Sequence, residues 1–144
     1  MNHSDKRMKA FTVLLRTAQH VEEVARKDIA QYDLNLTEFA VLELLHHKGE
    51  QPIQVIGKKV LIASSSITYV VDKLEKKGYV KRRACPEDRR VTFAHITKEG
   101  TAYMERIFPQ HTKQITTIFD ELTEQELEQT IELLKKIGYR AEQL

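Results

Sequence analysis

Apolar residues recur along this chain mostly at helical spacing, with one stretch that reads as extended. From Phe11 they fall at Leu14, Leu15, Ala18, Val21, Ala25 and Ile29 without an intervening glycine or proline, which predicts a long first helix. Thr37 is placed to cap a second helix bearing Phe39, Val41, Leu42, Leu44 and Leu45, and Gly49 to end it after the basic turn HHK. Pro52 suits the first turn of a short third helix holding Ile53, Ile56 and Val60. In SSSITYVVDKLEKKG, Ile67, Val70, Val71 and Leu74 make the i, i+3, i+4, i+7 stripe of a fourth helix, which Gly78 stops.

Two extended segments follow, YVKRRA and VTFAHI, rich in residues that favour strand and separated by the turn sequence CPEDRR. They predict a two-stranded hairpin. Thr97 then opens a long helix through Ile107, His111, Ile115 and Ile118, with a bend expected at Pro109, where one backbone donor is missing. The last helix is announced by the capping box TEQE, Thr123 to Glu126, between Leu122 and Leu127, and carries Leu127, Ile131, Leu134 and Ile137 on one face.

A length of 144 residues fits one domain, 1–144, with a core of its own. The opening MNHSDKRMK has no apolar stretch behind its charges, and no run approaches the roughly 20 apolar residues of a membrane span, so a cytoplasmic protein is expected. The single cysteine, Cys85, excludes an internal disulfide framework and a multi-cysteine zinc site. The net charge of +2 hides an uneven distribution. Between Lys73 and Arg90 eight basic residues face three acids, a local excess of five positive charges, whereas residues 120–144 hold seven acids against three bases. The basic stretch is suited to a polyanion.

Helix, short helix, polar-faced helix and basic hairpin, in that order, make a helix-turn-helix with a wing. The expected fold is mainly α with a small β-hairpin wing: a DNA-binding winged helix-turn-helix over 35–97, with dimerisation helices in 1–34 and 98–144. The polar face of the fourth helix centres on Ser65, Tyr69 and Lys76, flanked by Thr68, Asp72 and Lys73. Ser64, Ser65 and Ser66 at its start offer a cap and a seat for a phosphate. With this helix in a major groove, Ser64, Ser65, Ser66, Thr68, Tyr69, Lys73 and Lys76 face double-stranded DNA, and Arg89 and Arg90 of the hairpin turn reach the adjacent minor groove. Asp88 is expected to orient the Arg90 guanidinium rather than to contact DNA. Val13 and Val24 lie off the main stripe of the first helix, and the last two helices are amphipathic with little else to cover them. A homodimer is therefore expected, reading a palindromic operator with half-sites about 34 Å apart.

Competing chemistries find less support. A winged protein-interaction or dimerisation module that never reads DNA is the alternative; the basic cluster argues against it. An enzyme lacks its motifs: there is no Gly-rich phosphate loop, HExxH, G-x-S-x-G or spaced Cys/His pair, and no cofactor is expected. Cys85, beside Arg82 and Arg83, is a candidate redox or effector residue or, more blandly, a small residue at a strand end. His46 and His47 point different ways on their helix, and His3, His20, His95 and His111 have no ligand-like spacing, so no metal site is expected. His20, Tyr32 or His111 could line an effector pocket or simply pack.

The wing pattern D-x-R followed by I-T and G, here Asp88, Arg90, Ile96, Thr97 and Gly100, together with VDKLEKKGYVKRR, resembles the MarR family of bacterial winged-helix regulators over essentially the whole chain. The resemblance implies a homodimer built from the first and last helices, one winged unit per half-site, and a stress-response repressor relieved by a small molecule, phenolic, quinone-like or oxidant. It places Ser65, Ser66, Thr68 and Tyr69 on the recognition helix and Asp88 and Arg90 as the wing pair. The chain departs from the family in holding Ala63 where many members have a serine N-cap, and it has no first-helix cysteine of the hydroperoxide-sensor kind.

Overall fold

The computed structural model describes residues 2–60 and 64–144, which divide into two compact units, Met1–His111 and Thr112–Leu144. The first holds α1 (His3–Ala30), α2 (Leu36–Lys48), β1 (Gln51–Pro52), α3 (Ile53–Lys59), α4 (Ser64–Lys76), β2 (Val80–Ala84), β3 (Thr92–Ile96) and most of α5 (Lys98–Thr116). The second holds the end of α5, a 3-10 turn at Thr117–Phe119 and α6 (Glu124–Glu142). Among the described residues, no helix is long and apolar enough to cross a membrane.

Helix ends depart from the hydrophobic pattern where polar caps decide them. α1 begins well before Phe11, because Asn2 and Asp5 form a reciprocal capping box: the Asp5 amide donates to Asn2 Oδ1 at 2.7 Å and the Asn2 amide to Asp5 at 3.4 Å. α2 is capped by Asn35, not Thr37. Asn35 Oδ1 accepts from the Glu38 amide at 2.8 Å and Glu38 returns an acceptor to the Asn35 amide at 3.0 Å. A cap at Thr37 would have put Ala40 in the reciprocating position, where it has nothing to offer. Gly49 closes α2 and Gly78 follows α4 with φ of 81° and 84°, a region that favours glycine. In the second unit the box of Thr123 and Glu126 starts α6 as expected, while Ile118 falls in the 3-10 turn beyond α5.

The sheet has three strands, not two, in the order β1-β3-β2 and antiparallel throughout. Gln51 pairs with Ala94 and Pro52 with Phe93, so Pro52 caps α3 from an edge strand instead of lying in its first turn. A two-residue strand has no alternation to read, which is why the pattern misses it. β2 and β3 pair from Val80 with Ile96 to Ala84 with Thr92, as the hairpin reading requires. The core of this unit joins Phe39, Leu42 and Leu45 of α2 to Ile56 of α3, the full α4 stripe, Val80 and Ala94 of the hairpin, and Met104 and Ile107 of α5. All four stripe residues, Ile67, Val70, Val71 and Leu74, are buried.

Thr97 joins three elements. Its amide donates to the Tyr79 carbonyl at 3.0 Å, its hydroxyl donates to the Gly78 carbonyl at 2.6 Å, and the same oxygen accepts from the Gly100 amide at 3.0 Å. The start of α5 is thereby pinned to the end of α4 and the start of the wing. Gly100 is demanded by this closeness: a Cβ there would overlap the Tyr79 carbonyl oxygen and stand 2.7 Å from Ile96 Cγ1. Gly100→Ala should therefore destabilise the protein by about 3 kcal/mol, since a backbone carbonyl must yield. Urea unfolding measures this, and a loss under about 0.5 kcal/mol would show that the joint has slack.

Outside the core the helices keep apolar surface uncovered in the single chain. α1 buries only Asp28 and Ile29, leaving Met8, Phe11, Val13 and Leu15 exposed. α6 buries nothing, with Ile131, Leu133, Leu134 and Ile137 47–57% exposed.

Candidate nucleic-acid interface

With its stripe against the core, α4 turns Ser66, Thr68, Tyr69, Asp72, Lys73 and Lys76 outward. Tyr69 is 61% exposed, and the Lys73 ammonium lies 5.2 Å from its ring centroid, a cation over an aromatic face. Ser64 and Ser65 belong to the first turn of α4. Ala63 and the Ser64 and Ser65 side chains, where the cap and phosphate seat are expected, lie outside the described residues.

The wing turn is built around Asp88. Its Oδ1 accepts from the Arg90 amide at 3.0 Å and from Arg90 Nε at 3.2 Å, and its Oδ2 from Arg90 Nη2 at 3.4 Å. One carboxylate thus sets both the backbone and the side-chain direction of Arg90, which remains 91% exposed. The Arg90 amide first, and then its guanidinium, hold the Asp88 carboxyl below its ordinary value. The Val91 amide donates to the Asp88 carbonyl and the Cys85 amide to the Val91 carbonyl, each at 3.1 Å, closing the turn. Cys85 is a half-buried free thiol. Arg89 is exposed and has no ion pair among the described residues.

Besides Arg90, three of the eight cations between Lys73 and Arg90 pair with acids. Arg82 pairs with Asp72 at 2.6 Å and Glu75 at 2.8 Å. Arg83 is forked by Glu50 at 2.7 and 3.1 Å and lies 4.8 Å from the Phe93 ring centroid. Lys77 pairs with the buried Glu38 at 3.0 Å and donates to the Asp33 carbonyl at 2.6 Å. Asp72, Glu50 and Glu38 all lie outside the stretch from Lys73 to Arg90, so its excess of positive charge overstates what is available to a ligand. Lys73 and Lys76 on the outer face of α4, Lys81 on β2, and Arg89 and Arg90 in the turn remain turned to solvent. A cavity of about 300 Å³ is bounded by Ile53 and Gln54 of α3, Ile67 and Thr68 of α4, and Arg82, Arg90 and Thr92 of the wing. Gln54 carries no signal in the sequence pattern, which marks the short third helix only through its apolar positions.

The remaining sequence candidates are placed elsewhere. Tyr32 and His111 converge on buried Asp28: His111 Nδ1 is 2.8 Å from Oδ2 and the Tyr32 hydroxyl donates to Oδ1 at 3.5 Å, with the Phe39 ring 4.5 Å from the imidazole. Burial, and then the Asp28 charge, push the Tyr32 hydroxyl above its ordinary value. His20 is exposed on α1 and does not join them. Among the described residues, no group of three or more His, Cys, Asp or Glu could hold a metal ion.

Glu50 and Asp88 are both held below their ordinary values of 4.5 and 3.8, Glu50 mainly by its hydrogen bond from Arg83. A carboxylate whose pKa is depressed by folding contributes stability above its unfolded pKa, and that contribution is lost as pH falls through the folded value. In an NMR titration the Nε–H signals of Arg83 and Arg90 should therefore move with midpoints below 4.5 and 3.8 respectively. Midpoints at or above those values would mean that the forks do not persist in solution.

Comparison with known proteins agrees with this geometry. The family model described as MarR family matches residues 34–92. The chain is 50% identical over 140 residues, 97% of each chain, to the HTH-type transcriptional regulator MhqR of Bacillus subtilis (strain 168). Two solved structures share its fold. AbsC, a MarR family transcriptional regulator from Streptomyces coelicolor, aligns with a TM-score of 0.86 at 20% identity, covering 100% of this chain and 98% of its own. Sco3205, a MarR family transcriptional regulator from Streptomyces coelicolor solved in complex with DNA, aligns with a TM-score of 0.85 at 22% identity, covering 96% of this chain and 88% of its own.

Proposed function

Because the chain belongs to the MarR family of transcriptional regulators, we propose that it acts as a homodimeric, sequence-specific DNA-binding repressor that a small molecule releases from its operator. What supports this reading is the sorting of charge: Lys77, Arg82 and Arg83 are tied to acids of other elements, while Lys73 and Lys76 on the outer face of α4 and Arg89 and Arg90 in the wing turn stay exposed to solvent. A helix face with Thr68, Tyr69, Lys73 and Lys76 suits a major groove, where hydroxyls meet base edges and ammonium groups meet phosphates. Ser64, Ser65 and Ser66 at its start complete the reading surface. Arg90, held by Asp88 at the tip of a narrow turn, suits the negative potential of the neighbouring minor groove, with Arg89 beside it.

The dimer follows from apolar surface. α1 and α6 each present large side chains to solvent in the single chain, and a two-fold partner would cover them. Two winged units related by that axis call for a palindromic site. Family analogy points to phenolic, quinone-like or oxidant effectors; Cys85, half-buried at the wing, is a candidate for sensing the last of these.

Selection of bound sequences from a random pool of double-stranded DNA, followed by titration of the selected site at several salt concentrations, tests the reading. A palindromic consensus with steeply salt-dependent affinity is expected. Binding without a consensus, and indifferent to salt, would favour an interaction module instead. On the selected site, Arg90→Ala should weaken binding by about 1–3 kcal/mol, and Asp88→Ala by less, because the arginine contacts DNA and the aspartate only orients it. The reverse ranking would reject that division of roles. Ile131→Glu combined with Leu134→Glu should yield monomers in analytical ultracentrifugation, and an intact dimer would place the interface elsewhere.

A further inference from the structure

We propose that Arg82, for all its place in the basic stretch, is not a DNA contact but a positioning residue that fixes the wing relative to the recognition helix. The proposal rests on the DNA-binding reading above. Arg82 is held by α4 at every turn: Nη2 pairs with Asp72 at 2.6 Å and donates to the Thr68 carbonyl at 3.3 Å, while Nη1 donates to Glu75 Oε1 at 2.8 Å. Its own amide donates to Glu75 Oε2 at 3.2 Å, so one carboxylate grips both the backbone and the side chain. β2 is an edge strand, and that amide would otherwise be left unpaired on the open side of the sheet.

These contacts tie the middle of β2 to two successive turns of α4, from Thr68 to Glu75. They bridge the two surfaces that must enter adjacent grooves together. Arg82 has only 24% of its side chain exposed, against 91% for Arg90, and both line the cavity between α4 and the wing. A guanidinium forked by two carboxylates and a carbonyl has most of its donors spent, and its charge is offset locally. A phosphate contact would require both acids to let go. The geometry instead uses the planar fork as a strut, a role a lysine cannot fill because its ammonium lacks the fixed divergent donors.

The strut makes a prediction opposite in sign to that of a contact. Asp72 and Glu75 are acids close to the DNA-facing surface; if Arg82 met a phosphate, Asp72→Asn with Glu75→Gln would free it and remove repulsion, and binding would tighten. With Arg82 as a strut the same nearly isosteric pair weakens binding at least fivefold. Arg82→Ala should weaken it tenfold or more while leaving the slope of log K against log salt unchanged, whereas Arg90→Ala should reduce that slope by about 0.9, the share of one phosphate neutralised. Arg82→Lys should not rescue. Tighter binding by the Asp72→Asn, Glu75→Gln protein, or a slope reduced by Arg82→Ala, would overturn the proposal. Should Arg82→Ala fail to fold, the sign of the carboxamide variant still decides.

A DNA-free measurement separates this proposal from the reading beneath it. Residual dipolar couplings of amides in α4 and β2 should fit one rigid orientation in the native protein and two in the carboxamide variant. A single shared orientation in both would sink the strut even if DNA binding held. Failure of the native protein to select any site would sink the DNA reading and leave the couplings to judge the strut.

Discussion

A helix in one groove and a hairpin in the next can read a half-site together only if the angle between them is set before DNA arrives. A short hairpin has little stability of its own, and fixing it on binding would draw on the contacts it makes. In this protein the angle is set by hydrogen bonds at the two ends of the junction. Near the chain reversal, Thr97 links the Gly78 and Tyr79 carbonyls to the first turn of α5, with Gly100 leaving room for the approach. Further out, Arg82 and Glu75 join β2 to the side of α4, and Arg83 and Glu50 join the same strand to the segment after α2. Adjacent residues on a strand point to opposite faces, so the two arginines brace the wing from both sides.

The same arrangement explains an otherwise puzzling mixture of charge. Acids beside the surface proposed to meet DNA would repel it, yet Asp72, Glu75 and Asp88 all sit there. Each is engaged with an arginine: two through the braced strand, one through the exposed turn. Asp88 and Asp72 illustrate two outcomes of one chemistry. A carboxylate two residues from its partner directs an arginine that stays in solvent, while one on a neighbouring helix withdraws its arginine from solvent.

Much of this fold was legible in the chain because local rules decided it. The α4 stripe, the stops at Gly49 and Gly78, the capping box at Thr123 and the hairpin strands all follow from spacing or from residues within one turn of each other. The Asp88 fork was legible for the same reason. What escaped depends on partners that periodicity does not see. Asn2 extends α1 through polar residues that carry no stripe, Asn35 outcompetes Thr37 because Glu38 can reciprocate, and β1 is too short to alternate. The occupied cations were invisible to a charge count because Glu38, Glu50 and Asp72 come to them from other elements. Gln54 entered the candidate site only once α3 was folded against α4 and the wing.

Neighbouring arginines thus divide the labour, Arg90 for the ligand and Arg82 for the frame. A crystal structure of the protein on its selected operator tests this division most directly. Arg90 should enter the minor groove with Asp88 still beside it, while Arg82 remains on Asp72 and Glu75 with no phosphate within hydrogen-bonding distance. An Arg82 guanidinium swung onto the DNA backbone, with Asp72 and Glu75 abandoned, would contradict it.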